Sequence, residues 1–394
     1  MLAANFIWFY LDHFQLNYSI EKACEWRCLI KILFLTQYDE HGASSQVRVY
    51  QFLPEFKSRG VEFTVRPLLK KKADQLFLGL SRFAGVIERY RSLFFIFGQY
   101  LGRVFDVFLA LRVDGVVVQK DVLPFGLGRL LFLLNQNVVF EFDDPIWLPH
   151  ESISGKAGAK SLIVRYRKHC LDFFLKRARL VICDNPKMKT YVEQFNSNVL
   201  VFSSPVDVKV YESVACEKSG KEIAWIGSSG TTYLLQNVLP TLEKIAKTRP
   251  LVLHNIGGAE LHSDVLEVRN TPWSPKNVVE VGSRCSFGFA PGEKGQFNHY
   301  KYAYKIWLYA ALSIPTLASN DGLNPIAVKE GVTGLLFDPS SEESLMNAVA
   351  KLLDNPEKTR QMGANAYHWV KSEYDLPIGS KTLVDRILST LEQS

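Results

Sequence analysis

Residues 301–337 read KYAYKIWLYAALSIPTLASNDGLNPIAVKEGVTGLLF, and this stretch decides the fold. Ile306, Leu308, Tyr309 and Leu312 recur at helical spacing, so the segment opens as a helix with an apolar face. Pro315 ends that helix, and Pro315-Thr-Leu-Ala318 has the length of a buried parallel strand. Ser319-Asn-Asp-Gly322 then opens a polar loop at the strand's carboxyl end, where open α/β sheets hold ligands. A second helix, a turn at Gly331 and Gly334, and a further strand complete the unit.

Working outward, the alternation of short apolar runs with longer helical patterns begins at residue 30 and predicts parallel α/β layers. Strands are expected at 30–36, 61–66, 115–119, 137–142, 179–183 and near 198–203. A second set falls at 222–227, 251–256, 286–291, 315–318 and 334–337. Two sets of similar size predict two Rossmann-like domains, 29–206 and 207–375, divided in the charged, loosely patterned stretch 207–221. Helices Glu342–Leu353 and Glu357–Glu373 flank an Asp354-Asn-Pro356 break, and a last helix lies within 376–394.

The chain has 394 residues, 47% of them hydrophobic, which is enough for substantial cores. Its net charge of +6 suits an acidic ligand or an anionic membrane surface and does not call for nucleic acid. Six cysteines at 24, 28, 170, 183, 216 and 285 are scattered, which reads as free thiols in a reducing compartment; Cys24 and Cys28 lack the partners a zinc site needs. Residues 1–28 have neither the basic start nor the cleavage site of a signal peptide. An upstream start codon and a short membrane-touching or partner-binding helix explain them equally well.

In order and spacing, residues 301–337 resemble the nucleotide-sugar half of GT-B glycosyltransferases. The resemblance is to the large retaining family of glycosyl transferases group 1, which includes sucrose synthase and many bacterial polysaccharide enzymes. The family pattern K-x-x-E-x-x-A-x-G-x-P-V-(I/V)-A-S, then G-x-x-E-x-(I/V)-x-x-G-x-x-G-x-L, is matched at Lys305, Pro315, Gly322, Gly331 and Gly334. The resemblance spans about 29–375 and is clearest over 222–375. It implies a GT-B fold, with the last helix crossing back to the first domain. It also implies retaining transfer of a sugar from a nucleotide-sugar co-substrate, without metal or other cofactor, to a glycan or lipid-linked acceptor. The expected setting is peripheral, on the cytoplasmic face of the plasma membrane.

The donor site is expected after the strand at 222–226. There Gly227, Ser228, Ser229, Gly230, Thr231 and Thr232 would let a backbone approach the diphosphate, with Thr231 or Thr232 capping the next helix. The Arg and Lys usual after this strand are absent, so Lys301 and Lys305, one helical turn apart on one face, are expected to supply positive charge. Gly322 and Asn324 complete the donor set, and Gly42, Ala43 and Ser44 after the first strand, with Arg48 a turn into the helix, face it from the other domain. The family's two glutamates fall at Tyr300 and Leu308, and Ser313 replaces a glycine, so ribose contacts pass to Glu293 or Asn298. The same losses favour an alternative, a non-catalytic GT-B subunit that organises a partner enzyme.

Asp143 and Asp144 end the strand 137–142 and are the expected acceptor-activating carboxylates; strand alternation would turn only one of them to the cleft. His41 and His150 are further proton-transfer candidates. Residues 66–112 interleave Arg66, Lys70–Lys72, Arg82, Arg89, Arg91, Arg103 and Arg112 with apolar side chains, which predicts contact with an anionic membrane; a sheet-packed helix pair is the alternative. The basic run Arg165–His169, with Lys176–Arg179 beyond it, reads as a solvated face within reach of an acceptor diphosphate.

Overall fold

A computed structural model of the chain describes residues 30–70, 86–148, 159–212, 218, 220–292, 295–301 and 304–393. Its first sheet holds β1 (Lys31–Tyr38), β2 (Glu62–Leu69), β3 (Gly115–Gln119), β4 (Val138–Phe142), β5 (Leu180–Cys183) and β6 (Val199–Val201), in the order β2-β1-β3-β4-β5-β6. The second holds β7 (Glu222–Ile226), β8 (Val252–Ile256), β9 (Glu267–Thr271), β10 (Phe287–Ala290), β11 (Thr316–Ser319) and β12 (Gly334–Phe337), in the order β12-β11-β10-β7-β8-β9. Every neighbouring pair is parallel. Strand order reverses between β1 and β3 in one sheet and between β7 and β10 in the other, and these switch points are where such sheets bind ligands.

The apolar runs become strands because helices cover both sheet faces. β3 (GVVVQ) and β4 (VVFEF) are buried at every position. The expected strands are all present. β9 was not foreseen: as the edge strand EVRNT it is largely exposed and carries no apolar run. The helix Lys305–Ala311 is buried all round, with Trp307, Ala310 and Ala311 joining the predicted apolar face. From it Tyr309 reaches the second switch point, accepting from the Ile226 amide at 2.9 Å and donating to the Phe289 carbonyl at 3.0 Å.

The chain passes between the sheets twice, side by side. The Val206 amide donates to the Tyr374 carbonyl and the Leu376 amide to the Val206 carbonyl, each at 2.9 Å. The helix Leu376–Glu392 then packs Leu383, Val384, Ile387 and Leu391 into the core that holds Ile32 and Phe34 of β1.

Residues 71–85 of the expected membrane stretch lie outside the described residues. The rest holds β2 and the helix Val86–Phe108. Arg103 does not belong to a solvated basic face. It is buried, donating to the carbonyls of Arg66 and Thr36 at 2.7 Å each, with Asp121 3.2 Å from its Nε. None of the described helices is long and apolar enough to cross a membrane.

Candidate functional site

The carboxyl ends of the two sheets meet across a crevice. On the first side, β3 runs into Lys120, whose left-handed backbone (φ 62°) turns the chain as its amide donates to the Glu141 carbonyl at 2.7 Å. Lys120 Nζ pairs with Asp143 Oδ1 at 3.0 Å and also with Asp144. Both acids therefore converge on one ammonium. The expected alternation does not operate, because β4 ends at Phe142 and the acids lie in the bend beyond it.

Ser44 donates to Asp143 Oδ2 at 2.8 Å, and the Gln119 amide reaches Ser44 Oγ at 3.3 Å. Gly42 N-caps the short helix Ala43–Arg48. Arg48 ends that helix and does not face a ligand. It is 3% exposed, bonded through Nε to Glu141 at 2.6 Å and through Nη1 to Asp184 at 3.0 Å, which welds the helix under β4 and β5. His41 is exposed beside Glu40, outside this cluster, and His150 lies outside the described residues.

On the second side, β7 ends in the Gly227–Thr232 turn. A Cβ on Gly227 would fall 2.2 Å from the Trp225 ring, so only glycine lets the chain fold over that indole. Ser228 caps the short turn Ser229–Thr231 in a capping box with Thr231, and Thr231 stands at the N-cap of the helix Thr232–Ala246 with its hydroxyl turned back to the Ser228 amide. The Thr232 hydroxyl accepts from the Ala259 amide at 2.8 Å, tying the turn to the end of β8. Ser228, Ser229 and Gly230 stay exposed ahead of the helix Thr232–Ala246.

The two lysines part company. The helix starts at Lys305, and Lys301 precedes it in extended backbone, so they share no helix face. Lys301 crosses to the first side, with Nζ 2.5 Å from Asp144 Oδ1. Burial alone would raise the Asp144 carboxyl, but the Lys120 and Lys301 ammoniums outweigh it and hold that carboxyl far below the usual range. Asp144 is thus a permanent anion and a poor proton acceptor. Lys305 Nζ lies over the Trp225 ring, 4.1 Å from its centre. No acid pairs with it among the described residues, and desolvation pushes its pKa down to about 7.

Tyr300 and Leu308, at the expected glutamate positions, are both apolar contacts here. The Tyr300 ring meets Trp147 edge-on with centroids 5.1 Å apart, and Leu308 is buried. The Tyr300 carbonyl accepts from Asn185 at 2.8 Å, and Lys187 donates to the carbonyls of His299 at 3.2 Å and Gly322 at 3.0 Å. Gly322 holds φ 60° and turns the loop against Asn298 and Lys301, while buried Asn324 donates to Ser319. The Gly322 carbonyl faces Lys187 of the first lobe, and Asn324 holds the end of β11 from within. Asn298 caps the Lys301 amide through its carbonyl, and Glu293 lies outside the described residues.

Lys120, Asn185 and Lys187 were not singled out in the sequence. Each follows an apolar strand, GVVVQ or LVIC, at the carboxyl end where ligand-facing residues gather, and that position could have found them. One further polar group, Glu222, His254 and Cys285, is buried together near the amino end of β7, away from the crevice.

Residues 309–369 match the family described as Glycosyl transferases group 1. No curated protein matches the chain in sequence. Among solved structures, sucrose-phosphate synthase from Thermosynechococcus elongatus superposes with a TM-score of 0.68 at 13% identity, covering 93% of this chain and 100% of that one. Anabaena HepE, solved with UDP-glucose, gives 0.64 at 13% identity with the same coverage. A glycosyltransferase from Rickettsia africae gives 0.63 at 12% identity, again over 93% and 100%. The chain accordingly has the GT-B fold, two Rossmann-like lobes about a crevice, and carries its glycosyl transferases group 1 segment in the second lobe.

Proposed function

We propose that the chain is a glycosyltransferase that takes a sugar from a nucleoside diphosphate donor held by the second lobe and delivers it to an acceptor on the first. One observation carries this reading: Lys305, a cation with no acid partner among the described residues, sits desolvated on Trp225, the ring on which Gly227 packs ahead of the exposed Ser228–Gly230 turn. A diphosphate leaving group needs its growing charge met by groups already in place. The exposed turn stands at the amino end of the helix Thr232–Ala246, a favourable place for an anion, and Lys305 supplies a full charge once protonated. HepE, with the same fold, was solved with UDP-glucose.

The acceptor hydroxyl is oriented by Asp143, which Ser44 and Lys120 hold, while Asp144 and Lys301 hold the lobes together around it. The reaction keeps the anomeric configuration, needs no metal, and belongs to surface-glycan assembly on the cytoplasmic face of the plasma membrane. Isothermal titration of the protein with nucleoside diphosphates tests the reading. Saturable binding that weakens at least tenfold in Lys305→Ala is expected, and unchanged affinity removes the donor assignment.

A non-catalytic GT-B subunit is the second reading, favoured by Tyr300 packing on Trp147 where the family places a carboxylate. It requires that no nucleoside diphosphate binds, whatever its base.

A further inference from the structure

The first lobe carries an apolar face on the side of the helix Val86–Phe108 turned away from the sheet. Phe94, Phe97, Leu101, Phe105 and Phe108 follow one another at intervals of three and four residues, and Leu111 extends the row. Phe94 is 80% exposed and Phe105 76%. The inward residues of this helix, Phe95, Tyr100 and buried Arg103, face the sheet, and the outer row joins no core among the described residues. Next to it, Phe125 is 72% exposed and Leu133 81%, and Phe125 packs edge-on against Tyr100 at 5.9 Å. A row of this size exceeds the scattered apolar exposure of a soluble surface.

Behind Phe125 lies a groove of about 190 Å³. Val122, Leu123, Phe173 and Phe174 make its walls, and Arg129, Tyr166 and His169 also line it. Those three polar residues are exposed. The groove is built by the segment 120–126, in which Lys120, Leu123, Phe125 and Gly126 all take left-handed backbone. That segment begins with the lysine that holds Asp143 and Asp144. The helix Ala159–Arg177 forms the opposite bank, with Arg165, Arg167 and Arg177 exposed and Asp172 as its one acid, while Lys176 turns over the Phe195 ring. The apolar row, the narrow apolar slot and the basic bank thus sit on one lobe.

We infer that this groove binds the hydrocarbon chain of an anionic lipid, and that the acceptor is a polyprenyl- or acyl-linked phosphate or diphosphate. The basic bank meets the phosphate charge, the apolar row rests on the bilayer, and the slot takes the part of the chain nearest the head group. This rests on the glycosyltransferase reading for the identity of the lipid as acceptor, and not for its binding.

The test is photolabelling of the full chain with a benzophenone-bearing polyprenyl phosphate in phosphatidylcholine vesicles, with labelled peptides mapped by mass spectrometry. Saturable labelling of the 122–129 and 166–174 segments is expected, competed by unlabelled polyprenyl phosphate at least tenfold better than by the polyprenyl alcohol. Cys170→Trp, which fills the half-buried side of the groove, should reduce labelling at least tenfold while leaving nucleoside diphosphate affinity unchanged. Should Cys170→Trp fail to fold, Arg129→Glu at the exposed rim is expected to abolish the preference for phosphate over alcohol. Labelling confined to the Phe94–Leu111 row, or unaltered by either variant, overturns the proposal in favour of plain membrane adsorption. Groove labelling without nucleoside diphosphate binding leaves the lipid site standing and removes the transferase reading instead.

Discussion

Lys301 of the second lobe and Asp144 of the first form an ion pair across the crevice, 2.5 Å from Nζ to Oδ1. The carboxylate is mostly buried and shared with Lys120, whereas the Lys301 side chain is 46% exposed. Solvent screening at that exposed end limits what the contact contributes to stability. A double-mutant cycle with Lys301→Met and Asp144→Asn is expected to give a coupling of about 0.5–1 kcal/mol in urea unfolding. Small-angle scattering of either variant should show a larger radius of gyration, and the two effects should not add. An unchanged radius in both would mean that the pair does not hold the lobes together.

Since Lys301 and Lys120 keep Asp144 ionised, no acid limb of the transfer reaction should belong to it. Asp144→Asn is expected to lower turnover by about tenfold or less, within the range of a misplaced acceptor and below the loss of a general base. The pH–rate profile of Asp144→Asn should keep the wild-type shape in acid. Loss of an acid limb in that variant would restore Asp144 as the proton acceptor.

Lys305 sets a sign for pH. Desolvation lowers its folded pKa to about 7 from 10.5, so between these values the unfolded chain holds a proton that the folded chain does not. Stability therefore rises with pH across that window, and the contribution is lost as pH falls through 7. Lys305→Met should flatten this rise in urea titrations. At pH 8, diphosphate binding should take up a proton, seen as a buffer-dependent heat in calorimetry that Lys305→Met abolishes.

Arg48 is a structural cation. Arg48→Met would strand Glu141 and Asp184 in the interior, at an expected cost of about 3–5 kcal/mol at neutral pH. The deficit should shrink as pH falls and the stranded acids protonate, because their burial already raises their pKa. Chemical denaturation at pH 7 and pH 5 measures both parts.

Gly227→Ala drives a methyl into the Trp225 indole and should cost about 1–3 kcal/mol. Because Lys305 rests on that ring, the substitution should also shift tryptophan emission and weaken nucleoside diphosphate binding. A variant with wild-type emission and affinity would separate the turn from the lysine.

The sheets were legible because burial on both faces writes strands as apolar runs bounded by glycine, proline or charge. GVVVQ and EIAWI needed no tertiary information, whereas EVRNT, exposed at an edge, offered none. The crevice was half legible. Gly227 was singled out from its place after a strand, Lys305 from the family pattern it matches, and Asp143 from its strand end. Their partnerships were not, because Lys120 reaches both acids only through a left-handed backbone that no local residue preference demands. Lys301 and Lys305 misled because periodicity assumes a helix already begun, and this one begins four residues later than the first lysine. Arg103 read as a surface charge because composition cannot show that two carbonyls and an aspartate wait for it inside.

The paired crossings at Val206 and Tyr374–Leu376 bear on how the crevice can open. A single tether would let one half swivel freely about the other. Two adjoining segments, joined by the Val206–Asp375 bridge and anchored beyond by the helix Leu376–Glu392, act as a door on two pins, stiff to twist and soft to swing. Motion confined to one axis brings the same amino acids face to face on every closure, so Lys301 finds Asp144 again without a search.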